Sequence, residues 1–137
     1  MKKMAILVTR GSHNNFVTVF TMVMAALNCE MPVRIFLRDE AVFKLSKKKV
    51  SELNLSPVYA GAEATLQKNY EANGLIDLQK VIRDLKTQGD VKFYACTSSM
   101  ALCGLTAEDL IAEIDEPRGL TSFLLEEMDD AGMLLTF

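Results

Sequence analysis

Val91-Lys-Phe-Tyr-Ala-Cys96-Thr-Ser-Ser-Met-Ala-Leu-Cys103-Gly104 is the stretch on which the reading of this chain turns. Five mostly apolar residues of strand character run straight into a cysteine, and Thr97, Ser98 and Ser99 after it are natural helix starters. A thiol placed where a buried strand ends and a helix begins sits among unpaired backbone N–H groups, which favour the thiolate.

Outward from this stretch the strand-then-helix pattern recurs. Residues 4–9 form a continuous apolar run, the mark of a strand covered on both faces, and a polar loop from Arg10 to Asn15 follows. A first helix is expected from near Asn14 or Asn15 to about Leu27. It is apolar almost all round, which fits either a subunit interface or ordinary core packing. Residues 32–37 read as the second strand. Asp39 is placed to cap a short helix from Glu40 to about Leu45, leaving Lys47, Lys48 and Lys49 on its solvated end. Signals weaken from Val50 to Gly74, where Val58 and Tyr59 suggest a short extended piece and residues 62–73 a helix. That region is the candidate for a mobile flap.

Leu75, Leu78, Ile82 and Leu85 share one face of an amphipathic helix closed by Gly89. Residues 91–95 form the third strand, and a short helix over 99–103 ends at Gly104. Thr106 is expected to cap another helix, with Glu108 and Asp109 in its first turn. After a break at Pro117 and Gly119, a helix over 120–130 should turn Phe123, Leu124 and Met128 inward. Residues 133–137 close the chain as a strand. Alternating strands and helices predict a three-layer α/β/α sandwich around a mainly parallel sheet, with sites at the strands' carboxyl ends.

With 137 residues, half of them hydrophobic and 24% charged, residues 1–137 make one domain with a real core. The net charge of −3 argues against a nucleic-acid partner. Three cysteines are an odd number in a chain of ordinary size, which suits a reducing, cytoplasmic setting rather than a disulfide framework. The first apolar run is too short for a signal-peptide core, and no run reaches the roughly twenty residues that span a bilayer, so no membrane partner is expected.

The residues exclude much chemistry. One histidine and no Cys-x-x-Cys pair leave no zinc site, and the metallopeptidase, hydrolase-elbow, phosphate-loop and dinucleotide signatures are missing. No metal or cofactor is therefore expected. An alternative stays open in which the strand-end crevice binds a nucleotide or flavin and Cys96 is incidental. Otherwise Cys96 is either a buried strand-end thiol or an activated thiolate able to attack sulfane sulfur or a disulfide. His13 and Arg10, in the loop after the first strand, either approach it or are simply solvated, while Tyr94 alternates into the core. Cys96 and Cys103 are seven apart, so on one regular helix their Cα atoms would be roughly 10 Å apart. A disulfide needs about 4.4–6.8 Å, which demotes that pair. Cys103 then reads as a small buried hydrophobe before Gly104, and Cys29 as another at the end of the first helix.

Phe93-Tyr-Ala-Cys96-Thr-Ser-Ser-Met100, Gly104-Leu-Thr-x-Glu-Asp-Leu110 and Gly119-Leu-Thr-Ser-Phe-Leu124 together resemble the DsrE/DsrF-like family, in particular its branch labelled "predicted peroxiredoxin". No peroxidatic Thr-x-x-Cys motif supports that label. The resemblance implies a five-stranded sheet in order 4-3-2-1-5, with a very short fourth strand near residues 117–120. It also implies sulfur relay: a cysteine, matching Cys96, takes sulfane sulfur as a persulfide and passes it to a small carrier protein. Thr97, Ser98 and Ser99 would support that anion. A homo-oligomer, a rhodanese-type donor and a small sulfur carrier are the partners implied. Cys103 lies outside the shared pattern, so a resolving role for it has no support there.

Overall fold

A computed structural model describes residues 2–137. Five parallel strands, β1 (Met4–Val8), β2 (Val33–Leu37), β3 (Val91–Cys96), β4 (Glu116–Arg118) and β5 (Met133–Thr136), pair in the order β4-β3-β2-β1-β5. The expected order and the short fourth strand are both present. The central strands are apolar on both faces because helices cover both.

The crossovers decide which helices lie where. From β1 to β4 the chain steps steadily one way, and right-handed connections then put every helix of that run on one face. That face packs α1 (His13–Asn28) and α4 (Leu78–Gln88) onto the sheet through Phe16, Phe20, Val81 and Ile82 against Ile6, Ile35 and Phe93. The return from β4 to β5 crosses the other face, whose cover is α6 (Leu120–Phe123) continued by a π-helical turn (Leu124–Met128). Its apolar cluster is small: Ala5, Phe36, Tyr94, Cys96 and Phe123. Ions pin the rest. Glu127 takes Lys3 at 3.0 Å and Arg34 at 3.2 Å, and Arg118 reaches Glu126 at 3.1 Å.

Several local expectations change. The last helix widens after Phe123, where Asp129 N–H reaches back five residues to the Leu124 carbonyl at 3.0 Å. This wider turn faces Glu127 inward and leaves Leu124 and Leu125 exposed, so Leu124 is not a core residue. The helix expected after Thr106 is only a 3-10 turn (Ala107–Asp109), although its capping box forms. Its backbone bonds go instead to the Leu45–Lys47 segment: Lys47 N–H to the Asp109 carbonyl at 2.8 Å, and Ile111 N–H to that of Leu45 at 3.1 Å. Val58 and Tyr59 lie in a second 3-10 turn (Pro57–Tyr59), not an extended piece, because Pro57 starts a turn. Asp77 caps α4 through Lys80 N–H, leaving Leu75 outside the helix. Three further short helices are α2 (Glu40–Lys44), α3 (Glu63–Ala72) and α5 (Thr97–Leu102); α3 buries no residue.

Candidate functional site

The carboxyl ends of β1, β2 and β3 bring three segments to one edge: the loop through Gly11, the Arg38–Glu40 corner, and Cys96 with α5 (Thr97–Leu102). Gly11 N–H donates to Glu40 Oε1 at 3.0 Å, and a Cβ at position 11 would fall 2.5 Å from the Glu40 carbonyl oxygen. The first loop thus lies flush on the start of α2. Asp39 turns the corner with φ of 51°, a left-handed conformation that costs a non-glycine residue energy. Ser99 holds it there. Its hydroxyl oxygen accepts from Asp39 N–H at 2.9 Å and donates to Asp39 Oδ1 at 3.1 Å.

Cys96 stands at the strand-to-helix junction as expected, but it is itself the last residue of β3 and the N-cap of α5, so the helix starts two residues earlier than the expected 99–103. The thiol is fully buried on the thinly covered, or thin, face. Burial pushes its thiol up. The Ser98 hydroxyl at 3.1 Å, the Ser99 amide and hydroxyl, and the Arg38 guanidinium act the other way and prevail, holding its pKa at about 7. Ser99 has a single hydroxyl proton and Asp39 competes for it, so the amide is the firmer of that residue's two contributions. A pKa of about 7 leaves roughly half the thiol ionised at neutral pH, against a few per cent for a free cysteine.

The other candidates divide clearly. Thr97 and Ser98 are exposed at the start of α5, whereas Ser99 is buried beneath it. His13 is not a solvated loop residue. Ser12 caps α1 one residue earlier than expected, which draws His13 into the helix and buries it. Its Nε2 contacts the Leu75 carbonyl at 2.9 Å and its ring lies 5.0 Å from that of Tyr70, so it faces the α3 region instead of the thiol. Arg10 is exposed, and its carbonyl takes the Asn15 side chain at 2.9 Å. Cys103 is half-buried at the far end of α5. Cys29 is exposed rather than buried, because α1 stops at Asn28 and leaves it on the turn. All three thiols are unbridged among the described residues. Arg38 is the functional residue that the sequence reading missed. The signal was available: it is the first charged residue after the apolar run of β2, and parallel register sets strand ends side by side.

The family model of the DsrE/DsrF-like family matches residues 2–137. The chain belongs to that family. A protein of unknown function from Methanobacterium thermoautotrophicum superposes on this DsrE/DsrF-like chain with a TM-score of 0.67 at 12% identity, and the ychN protein of E. coli with 0.63 at 18%. Each match covers 100% of both chains. At such identities the likeness is one of fold. A comparison with curated proteins finds no match.

Elsewhere on this DsrE/DsrF-like domain two clefts pair their basic groups with acidic ones. One of about 540 Å³ lies at the strands' amino ends beside Lys3 and Arg34, whose charges are paired with Glu127, Asp130 and Asp90. Lys47, Lys48 and Lys49 line a cleft that also holds Glu108 and Asp109. Among the described residues no group of three or more His, Cys, Asp or Glu is placed to hold a metal ion, and no helix is long and apolar enough to cross a membrane.

Proposed function

We propose that this protein is a cytoplasmic sulfur-relay protein: Cys96 accepts sulfane sulfur as a persulfide and passes it to a small carrier protein. The observation that supports this most directly is the pairing of burial with acidity at Cys96. A buried thiol is ordinarily less acidic than a free one, yet hydrogen bonds hold this one near 7. The thiolate attacks the sulfane sulfur, a new S–S bond forms at Sγ, and the donor's leaving group departs with the electron pair. Burial then keeps the persulfide from water and stray thiols until a partner engages. A rhodanese-type donor, a small carrier as acceptor and a homo-oligomeric assembly belong to the same reading.

Incubation with a sulfane-sulfur donor should add sulfur to the intact mass, and Cys96→Ser should abolish the gain. Undiminished loading of that variant overturns the reading. Because Cys29 is exposed and Cys96 is not, raw alkylation rates do not compare their acidities. The midpoint of each rate against pH does, and that of Cys96 should fall at about 7.

A further inference from the structure

Residue register across the strand ends sets up one row of side chains. Cys96 pairs with Arg118 of β4, and Leu37 of β2 pairs with Ala95, so Arg38 comes level with Cys96 on its other side. The ladder runs on to that level, since Arg38 N–H donates to the Val8 carbonyl at 2.9 Å. Strand alternation places Arg38 on the side of Phe36, the thin face to which Tyr94 and Cys96 also point. Cys96 is thus flanked in the row by two arginines, of which Arg38 is the one whose side chain reaches the thiol.

The two are in different states. Arg118 is engaged by Glu116 and Glu126 and lies 4.0 Å over the Tyr94 ring. Arg34, further down β2, is paired with Asp90 and Glu127. Arg38 has no ion pair among the described residues, and its Nε is buried with no hydrogen-bond partner. The carboxylate next to it in sequence, Asp39, is taken by Ser99. A guanidinium that no carboxylate takes, that already reaches the Cys96 thiol and that keeps an unpartnered Nε has a donor left for an incoming acceptor.

We propose that Arg38 is an oxyanion-binding residue, and that the donor it selects carries its transferable sulfur on an oxyanion group, as thiosulfate does. The proposal rests on the persulfide reading of Cys96 for its reaction, though not for its binding. A planar guanidinium fork fits two oxygens of an oxyanion, whereas a hydrosulfide or a sulfur chain offers only a point charge. In the step, Cys96 thiolate attacks the outer sulfur of thiosulfate and an Sγ–S bond forms. The S–S bond to the sulfonyl sulfur breaks, and its electron pair leaves with sulfite. The cysteine remains as a persulfide anion, and no further oxidant or reductant is consumed. Arg38 meets the charge gathering on the departing sulfite.

Binding is tested first on Cys96→Ala protein, which cannot take up sulfur at this position. Calorimetric titration with thiosulfate should show saturable binding, weakened by about tenfold or more when Arg38→Met is added and partly restored by Arg38→Lys. Loading is then compared in protein with Cys96 intact, using thiosulfate and dissolved elemental sulfur, a neutral source. Arg38→Met should slow the first by about tenfold or more and the second by less than about threefold. Equal slowing with both donors, or no thiosulfate binding to Cys96→Ala protein, overturns the proposal. Thiosulfate binding without loading by either donor supports the anion site and sinks the persulfide reading instead.

Discussion

The two faces of the sheet are built to different standards. One is covered by α1 and α4, whose apolar stripes join a single large core around Phe20, Ile35 and Phe93. The other is covered by α6 and one π-helical turn, which contribute Phe123 to a cluster of five buried residues, pack Leu120 and Met128 against it, and add ion pairs to Lys3, Arg34 and Arg118. Cys96 faces the second. Apolar packing of the first kind opens only with global unfolding, whereas a short helix with few apolar contacts opens locally at lower cost. The difference teaches why a buried thiol can still do chemistry: it lies under the removable cover.

The largest expected effect contrasts one phenylalanine from each face. Phe20→Ala, which removes a ring packed between Phe16 and Phe93, should cost about 3–5 kcal/mol of stability. It should leave Cys96 alkylation little changed while the protein is folded. Phe123→Ala removes a ring stacked 4.8 Å from Phe36 and should cost about 3 kcal/mol, the low end for such a truncation. It should also raise the Cys96 alkylation rate by about tenfold, since that ring completes the small cluster in which the thiol is buried. Urea titration gives the first quantity and mass-resolved alkylation the second. An equal rise in both variants would erase the contrast between the faces.

Glu127 offers a sharper and smaller test. It is the carboxylate that ties the π-helical turn to both Lys3 of the N-terminal segment and Arg34 of β2. Glu127→Gln keeps the shape and removes the charge, for an expected loss of about 1–2 kcal/mol after allowing for partial exposure. Cys96 should become more reactive in the variant. Added salt should shift the unaltered protein in the same direction, because it screens the pairs that remain accessible to ions. A Glu127→Gln protein whose Cys96 is as slow as before would show that Phe123 alone holds the cover.

Much of the architecture was legible because it is written in apolar runs. The runs at 4–9, 32–37 and 91–95 announce the central strands to within a residue at each end, and the strand-to-helix junction at Cys96 announces itself through Thr97 to Ser99. What stayed hidden depends on contacts distant in sequence. Leu124 fits an α-helical stripe with Phe123 and Met128, and only the π-helical turn, set by how the segment docks, moves it outside. The segment after Thr106 has every mark of a helix start, but Leu45 and Lys47 claim its backbone. The site was half legible. Cys96 could be found from its neighbours in the chain, whereas Arg38 lies 58 positions earlier and joins it only through strand register.

The smallest expected effect marks where the thick face itself gives out. The excursion from residue 51 to 77 reaches beyond α1 and is held there by polar contacts: His13 N–H to the Asn54 carbonyl at 2.8 Å, a reciprocal Asn14–Ser56 pair, and His13 Nε2 to the Leu75 carbonyl. The His13 pKa lies below its ordinary 6.5, first because of burial and further because of the Lys44 charge, with the Leu75 carbonyl opposing. The folded state therefore favours neutral histidine. Its contribution is complete above pH 6.5 and is lost as pH falls below that value, since the unfolded chain then binds the proton more readily. Hydrogen exchange corrected for intrinsic rate should show the amides of α3 losing protection between pH 7 and 5, ahead of those in α1. In His13→Gln, which keeps a donor for the Leu75 carbonyl and cannot titrate, that loss should disappear. Uniform loosening of α1 and α3 together would mean that the excursion belongs to the core after all, and that the thick face extends further than its apolar contacts do.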